Sequence, residues 1–182
     1  MNYIQEAIRT ESVISLSDID INTRILHACL GICTESIELL SNKATRDRGN
    51  YEEELSDVCW YLAIMHDELK LPFEINCEFF KPDMVINKDI DIYIENLIIN
   101  SSELIDLAKR KIYYKKDFSN DMIQNIMKRI IISINAICYI LEFDVNQLLV
   151  KNIEKLKRRY PDKFTEFNAV NRDIANEISV FK

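Results

Sequence analysis

Four carboxylates in the first third of the chain occur as two pairs, and the members of each pair are three residues apart. Glu35 and Glu38 form the first pair, and Glu54 and Asp57 form the second. A three-residue step along an α-helix returns almost to the same side, so each pair can present its oxygens together. Carboxylates held that close repel one another unless protons or cations intervene. Hard divalent cations suit such ligands, and Mg²⁺ in particular combines a few carboxylates with substrate phosphates.

The same spacing has an ordinary explanation as well. Pairs of acids are common on solvated helix faces, where polar side chains normally lie. Glu52 and Glu53, next to the second pair, are expected only to favour the positive N-terminal end of their helix behind an Asn50 cap. The spacing is therefore compatible with a metal site, but spacing alone does not distinguish such a site from an ordinary solvated helix face.

Two helices joined by a short turn must position the four acids. The first is predicted from Asn22 or Thr23 to about Asn42, and the second from about Tyr51 to Lys70. The short turn makes them antiparallel neighbours, which brings the two acid pairs face to face. The buried stripes predicted from helical periodicity are Leu26, Leu30, Cys33, Ile37 and Leu40 in the first helix and Leu55, Val58, Cys59, Leu62, Met65 and Leu69 in the second.

The composition favours a helical protein. Only 2 Gly and 3 Pro occur among 182 residues, which predicts long helices with short connections and an all-α helical bundle. A net charge of −7 argues against a nucleic-acid partner. No apolar run reaches the ~20 residues that a membrane helix needs, and no signal-peptide pattern is present. The five cysteines lack a Cys-x-x-Cys pair and are typical of small buried side chains in a reducing compartment, so we expect a cytoplasmic location.

A second pair of helices follows and echoes the first. At an offset of 68 residues the first acid pair falls against Glu103 and Asp106, and at an offset of 72 the second pair falls against Ile126 and Arg129. The second half would keep the scaffold and lose half the acids, although helical periodicity alone also produces such echoes. The single domain, 1–182, then divides into a metal-binding half, 22–81, a degenerate second half, 89–160, and a tail, 161–182. Helices are also predicted over 2–10, 73–80, 91–111, 119–141 and 144–160, with room for a final one from residue 171.

Basic residues near the end of the second half could complement the acids. Asn152, Lys155 and Arg159 recur at +3 and +7 and so share a helix face that could hold a polyphosphate. Lys43, in the connection after the first acidic helix, is a weaker candidate for the same role. The alternative is a basic C-terminal turn that the helix dipole favours.

Three segments together resemble one family, the MazG-like, all-α nucleoside triphosphate pyrophosphohydrolases. Residues 22–40 resemble the first metal-binding helix of that family and residues 54–62 the second, giving its Glu-x-x-Glu, spacer, Glu-x-x-Asp signature. Residues 152–164 with Asn171-Arg172-Asp173 resemble the C-terminal segment of compact, often phage-encoded members. The chain departs from the family at Thr34, where some members have another acid. It also carries about eighty residues between the second acidic helix and the basic segment, where compact members have none.

The resemblance implies hydrolysis of a nucleoside or deoxynucleoside triphosphate between the α and β phosphates, giving a monophosphate and pyrophosphate. Mg²⁺, or Mn²⁺ as a substitute, would be held by the four acids, and Glu38 or Glu35 would take the proton of the attacking water. Lys155 and Arg159 would stabilise the leaving pyrophosphate, with Asn152 donating to a phosphate or sugar oxygen. Family members form dimers or contain two such halves around a four-helix core. The chain is therefore predicted to act as its own pseudo-dimer with one composite site, or as a homodimer.

The residue pattern leaves base recognition open. His27 lies two turns before Glu35, about 12 Å along the helix axis, a distance that suits the far end of a nucleotide. Trp60 and Tyr61 could stack on a base, although core packing is an equal or better explanation for His27 and Trp60. His66 is expected at the surface. Candidate substrates are dUTP, dCTP, a broad range of triphosphates, damaged nucleotides and guanosine alarmones. The alternative function is a non-catalytic nucleotide-binding or assembly module.

Overall fold

The computed structural model describes residues 2–11, 21–73, 75 and 87–182. These ranges contain eight α-helices and no strand, which confirms the prediction of an all-α helical bundle. The helices are α1 Tyr3–Ile8, α2 Thr23–Ser41, α3 Arg48–Leu69, α4 Ile90–Tyr114, α5 Asn120–Leu141, α6 Val145–Arg159, α7 Glu166–Val170 and α8 Ile174–Ile178, with 3₁₀ turns at Asn42–Ala44 and Ser179–Phe181.

Side-chain caps fix where the helices begin. The Asn22 side chain accepts hydrogen bonds from the backbone N–H groups of Arg24 and Ile25, and Asp144 caps α6 in the same way. The sequence left the start of α2 open between Asn22 and Thr23 and placed the start of α6 at residue 144, in agreement with these caps. The prediction for α3 was wrong by one turn, because Asp47 rather than Asn50 is the cap. Its Oδ1 lies 2.9 Å from the Asn50 nitrogen. Glu54 therefore lies in the second turn of a longer helix and Asp57 in the third.

The four long helices α2 to α5 form the core of the bundle. Arg24 at the start of α2 pairs with Asp67 and Glu68 near the end of α3, at 2.7 and 2.8 Å, so these two helices are antiparallel. α2 also packs against α4, α4 against α5, and α6 against α3. The acidic helices α2 and α3 therefore have the pair α4 and α5 on one side, and the basic helix α6 contacts α3 on another.

The predicted buried stripe of α2 was wrong. Leu30, Ile37 and Leu40 are 50%, 48% and 36% exposed. The face that packs carries Ile25, Ala28, Cys29, Ile32 and Leu39. α2 is apolar around most of its circumference, so helical periodicity fits two stripes equally well. Packing selects the stripe that lies beside the acids. In α3, by contrast, the predicted residues Leu55, Val58, Cys59, Leu62 and Met65 are all buried, and Leu69 is partly buried.

Two further predictions concern the position of His66 and the segment 73–80. His66 is buried against Phe73, their rings edge to face at 5.3 Å, so its expected place at the surface was wrong. Most of the helix predicted over 73–80 lies outside the residues that the structure describes, as does Cys77. None of the helices within the described ranges combines the length and apolar character needed to cross a membrane.

Candidate functional site

Three of the four predicted acids meet at the interface of α2 and α3. Glu35, Glu38 and Glu54 each offer a carboxylate oxygen, and these oxygens lie within 4.8 Å of one another. Glu54 is buried, Glu35 is half-buried and Glu38 is exposed. All three line a cavity of about 340 Å³, and Asp57 lines it too. The hard oxygen donors and their spacing fit a divalent cation such as Mg²⁺.

Burial and mutual repulsion make two of these carboxyls weak acids. Desolvation, followed by the charges of Asp57 and Glu38, raises the pKa of Glu35 to about 7. The same causes, with Glu35 itself contributing, raise the pKa of Glu54 to about 9. Near neutral pH the cluster therefore retains a proton. A bound cation would replace that proton as the counter-charge, since carboxylate ligands bind metal in their deprotonated form.

Asp57 lies beside this three-residue cluster and is engaged by α6. Its carboxylate pairs with the Lys155 ammonium, and its Oδ1 accepts a hydrogen bond from Asn152 Nδ2 at 2.8 Å. Lys155 is 1% exposed and also lies 3.4 Å from Glu53 Oε1. Burial alone lowers the pKa of Lys155, but the charges of Asp57 and Glu53 outweigh it and raise that pKa. Lys155 is therefore a buried cation that compensates part of the acidic charge.

Three of the four predicted phosphate contacts, Asn152, Lys155 and Lys43, are engaged by other protein groups. Asn152 is fully buried, and its Nδ2 also donates to Ser56 Oγ at 3.1 Å. Asn152 and Lys155 thus fasten α6 to the acidic face of α3. Lys43 does not reach the cavity, because it pairs with Asp91 at the start of α4, 2.9 Å away. Of the predicted basic residues, Arg159 lines the cavity.

A second arginine reaches the same cavity from the C-terminal segment. Arg172 lines it together with Arg159, and both guanidiniums donate to the carboxylate of Glu177. Glu177 is 1% exposed. Burial raises its pKa, but the hydrogen bonds from the two arginines prevail, so that the pKa is lowered and the group is charged.

Aromatic side chains line another part of the cavity. His27, Trp60 and Tyr61 pack edge to face, with ring centroids 5.3 Å apart for His27 and Tyr61 and 4.7 Å for Trp60 and Tyr61. Trp60 is largely a core residue, since it is 9% exposed and its Nε1 donates to Ala7 O at 2.8 Å. Burial lowers the pKa of His27, so this imidazole is neutral at pH 7. Gly31 makes the arrangement possible, because a Cβ there would lie 2.2 Å from the Tyr61 ring.

Sequence reasoning assigned no site role to Glu53, Arg172 or Glu177, although Arg172 lies in the C-terminal stretch that carries the family resemblance. Glu53 lies four residues before Asp57, so the helical spacing that identified the acid pairs could have identified it too. Arg172 and Glu177 belong to a polar tail, and no local pattern predicts that a glutamate there becomes buried.

Comparisons of the chain with protein-family models, with curated proteins and with solved structures find no significant match. The family resemblance in the acid pairs and the basic segment therefore stays a prediction. The functional assignment depends on the geometry of the cavity.

Proposed function

We propose that this chain is a Mg²⁺-dependent nucleoside triphosphate pyrophosphohydrolase that releases a nucleoside monophosphate and pyrophosphate. The observation that carries the proposal is the cavity with three clustered carboxylates, Glu35, Glu38 and Glu54, and two arginines, Arg159 and Arg172. Acids alone would favour a cation, and arginines alone an anion. Polyphosphate complexed with a divalent cation presents both charges to the protein.

Each part of the cavity has a role in this proposal. Glu35, Glu38 and Glu54 would hold Mg²⁺, which would supply charge neutralisation of the phosphate oxygens and a more acidic water. In this proposal Glu38, the most exposed of the three acids, accepts the proton of the attacking water, with Glu35 as the other candidate. The aromatic wall of His27, Trp60 and Tyr61 gives the nucleoside a surface to pack on. The position of cleavage, between the α and β phosphates, comes from the family resemblance.

Pyrophosphate release from a panel of nucleoside and deoxynucleoside triphosphates, with Mg²⁺ and with EDTA, tests the proposal. Glu54→Gln should lower kcat at least 100-fold, because it removes a buried ligand. The matched control is Glu103→Gln, which changes the acid that corresponds to Glu35 in the second helix pair. Glu103 pairs with Arg129 at the surface and should leave kcat within about twofold of the wild type. The proposal fails if no triphosphate gives metal-dependent pyrophosphate release.

The alternative is a module that binds nucleotides without turnover. It predicts that the same triphosphates bind in the presence of Mg²⁺ while no pyrophosphate forms. The three clustered acids, which have no ion-pair partner among the described residues, favour the enzyme, because a bound cation can still serve as their counter-charge.

A further inference from the structure

A buried carboxylate in the C-terminal segment holds two arginines side by side. Glu177 Oε2 accepts hydrogen bonds from Nε and Nη2 of Arg159, the first at 3.0 Å, and from Nε and Nη2 of Arg172, at 3.2 and 2.7 Å. The three side chains together carry a charge of +1. Glu177 offsets only one of the two guanidinium charges, so the cluster keeps a positive charge that another anion could offset.

Among the described residues, neither the Glu177 carboxylate nor the two guanidiniums use all of their hydrogen-bonding atoms. Glu177 Oε1 is buried and has no hydrogen-bond partner among the described residues. Within those same residues, both guanidiniums direct hydrogen bonds only to Glu177, through Nε and Nη2. The Nη1 amino groups are therefore available to another acceptor. An arrangement needed only to fasten the tail would be expected to use both carboxylate oxygens in bidentate pairs.

The two arginines face a region that already contains acids. Both line the 340 Å³ cavity of Glu35, Glu38 and Glu54, and both also line a neighbouring cavity of about 170 Å³. Arg159 is 17% exposed and Arg172 38% exposed at the side chain. A ligand in the larger cavity can thus reach both guanidiniums while its cation meets the carboxylates.

We infer that Arg159 and Arg172, held by Glu177, form the binding site for the pyrophosphate portion of the substrate. This inference rests on the proposed function and deepens it, because it assigns Arg172 and the C-terminal segment to the same site as the acids. Two planar guanidiniums present paired N–H donors, which suits a chain of two phosphoryl groups better than a single phosphate. Inorganic pyrophosphate should therefore bind the whole chain without any nucleoside attached.

Titration calorimetry of the full chain with inorganic pyrophosphate in the presence of Mg²⁺ tests the inference. Arg172→Ala and Arg172→Gln should each raise the Kd at least tenfold, which corresponds to about 1.4 kcal/mol. Two variants are used so that a folding defect in one of them leaves the other informative. Inorganic phosphate should bind the wild type more weakly than pyrophosphate does.

Arg158→Gln is the matched control. Arg158 precedes Arg159 in α6 and fastens the same segment through Nη1 hydrogen bonds to Asn176 O at 2.6 Å and Ser179 Oγ at 2.5 Å, yet it does not line the larger cavity. Its pyrophosphate Kd should stay within threefold of the wild type. The inference is overturned if the wild type does not bind pyrophosphate, if both Arg172 variants bind like the wild type, or if Arg158→Gln weakens binding as much as they do.

The two proposals fail in different ways. If no triphosphate is hydrolysed but pyrophosphate binding depends on Arg172, the proposed function is wrong and the anion site stands. If hydrolysis is metal-dependent but the Arg172 variants bind pyrophosphate as tightly as the wild type, the proposed function is supported and the proposed anion site is wrong.

Discussion

The ammonium group of Lys155 lies between the carboxylates of Asp57 and Glu53, and only 1% of its side chain is exposed. This contact joins α6 to the acidic face of α3 in the interior of the protein. It leaves Asp57 compensated and the other three acids without a cation among the described residues. The division of the four predicted acids into one paired carboxylate and three clustered ones follows from this lysine.

Replacing Lys155 by methionine should destabilise the protein strongly. Lys155→Met leaves Asp57 and Glu53 without their buried counter-charge, and removal of one partner of such a pair costs about 3–5 kcal/mol. Urea unfolding should show this loss. Lys151→Met is the control, because Lys151 pairs with Glu52 at 2.5 Å in a more exposed place and should cost no more than about 1 kcal/mol. Equal losses in the two variants would contradict the structural role assigned to Lys155.

The stability of the metal-free protein should fall as the pH rises from 6 to 9. Glu35 and Glu54 have pKa values raised to about 7 and about 9, so between their ordinary values and these the folded state binds more protons than the unfolded state. The free energy of unfolding then decreases with pH, by up to about 1.4 kcal/mol per pH unit for each proton that only the folded state retains. Thermal unfolding in EDTA at several pH values measures the decrease.

Magnesium should oppose that fall in stability. Cation binding requires deprotonated carboxylates, so the increase in Tm on adding Mg²⁺ should be larger at pH 8.5 than at pH 6. Glu54→Gln should flatten the pH dependence in EDTA and reduce the effect of Mg²⁺. A Tm in EDTA that rises between pH 6 and 9, or a Mg²⁺ effect independent of pH, would contradict the charge assignment of the cluster.

Gly31→Ala should destabilise the protein only while Tyr61 is present. The added Cβ would lie 2.2 Å from the Tyr61 ring, and such overpacking typically costs about 1–3 kcal/mol. In a Tyr61→Leu background the same change should instead stabilise by up to about 1 kcal/mol, because alanine is the better helix former. A double-mutant cycle measured by urea unfolding tests this change of sign. A destabilisation that persists in the leucine background would mean that Gly31 is required for some other contact.

His27→Ala should affect nucleotides and leave inorganic pyrophosphate unaffected. His27 belongs to the aromatic wall, whereas the anion site involves Arg159 and Arg172. If the nucleoside packs on this wall, KM for the preferred triphosphate should rise about tenfold, in line with the loss of one aromatic contact. The pyrophosphate Kd should stay within twofold. Equal weakening of both ligands would place His27 in the structural support of the cavity.

The sequence was a good guide to the helices and a poorer guide to how they face one another. The caps at Asn22 and Asp144 were predictable because capping depends on a few adjacent residues. The outward position of Leu30 and Ile37 could not be predicted, because it depends on which of two apolar stripes of α2 packs against α3 and α4.

The candidate site, too, could be predicted from the sequence only in part. The spacing of Glu35, Glu38 and Glu54 predicted that their oxygens could meet, because this follows from helix geometry and one short turn. The buried place of Glu177 depends on α8 folding back against α6, a contact between segments that sequence periodicity does not encode.

Asn152 is fixed in one orientation by the two helices that it touches. Its Oδ1 accepts the Tyr3 hydroxyl at 2.9 Å, so its Nδ2 must point toward Asp57 and Ser56. This position therefore requires a side chain that is an acceptor at one tip and a donor at the other. Aspartate, although nearly identical in shape, would set one negative charge against another and undo the link from the first helix of the chain to the acid that Lys155 neutralises.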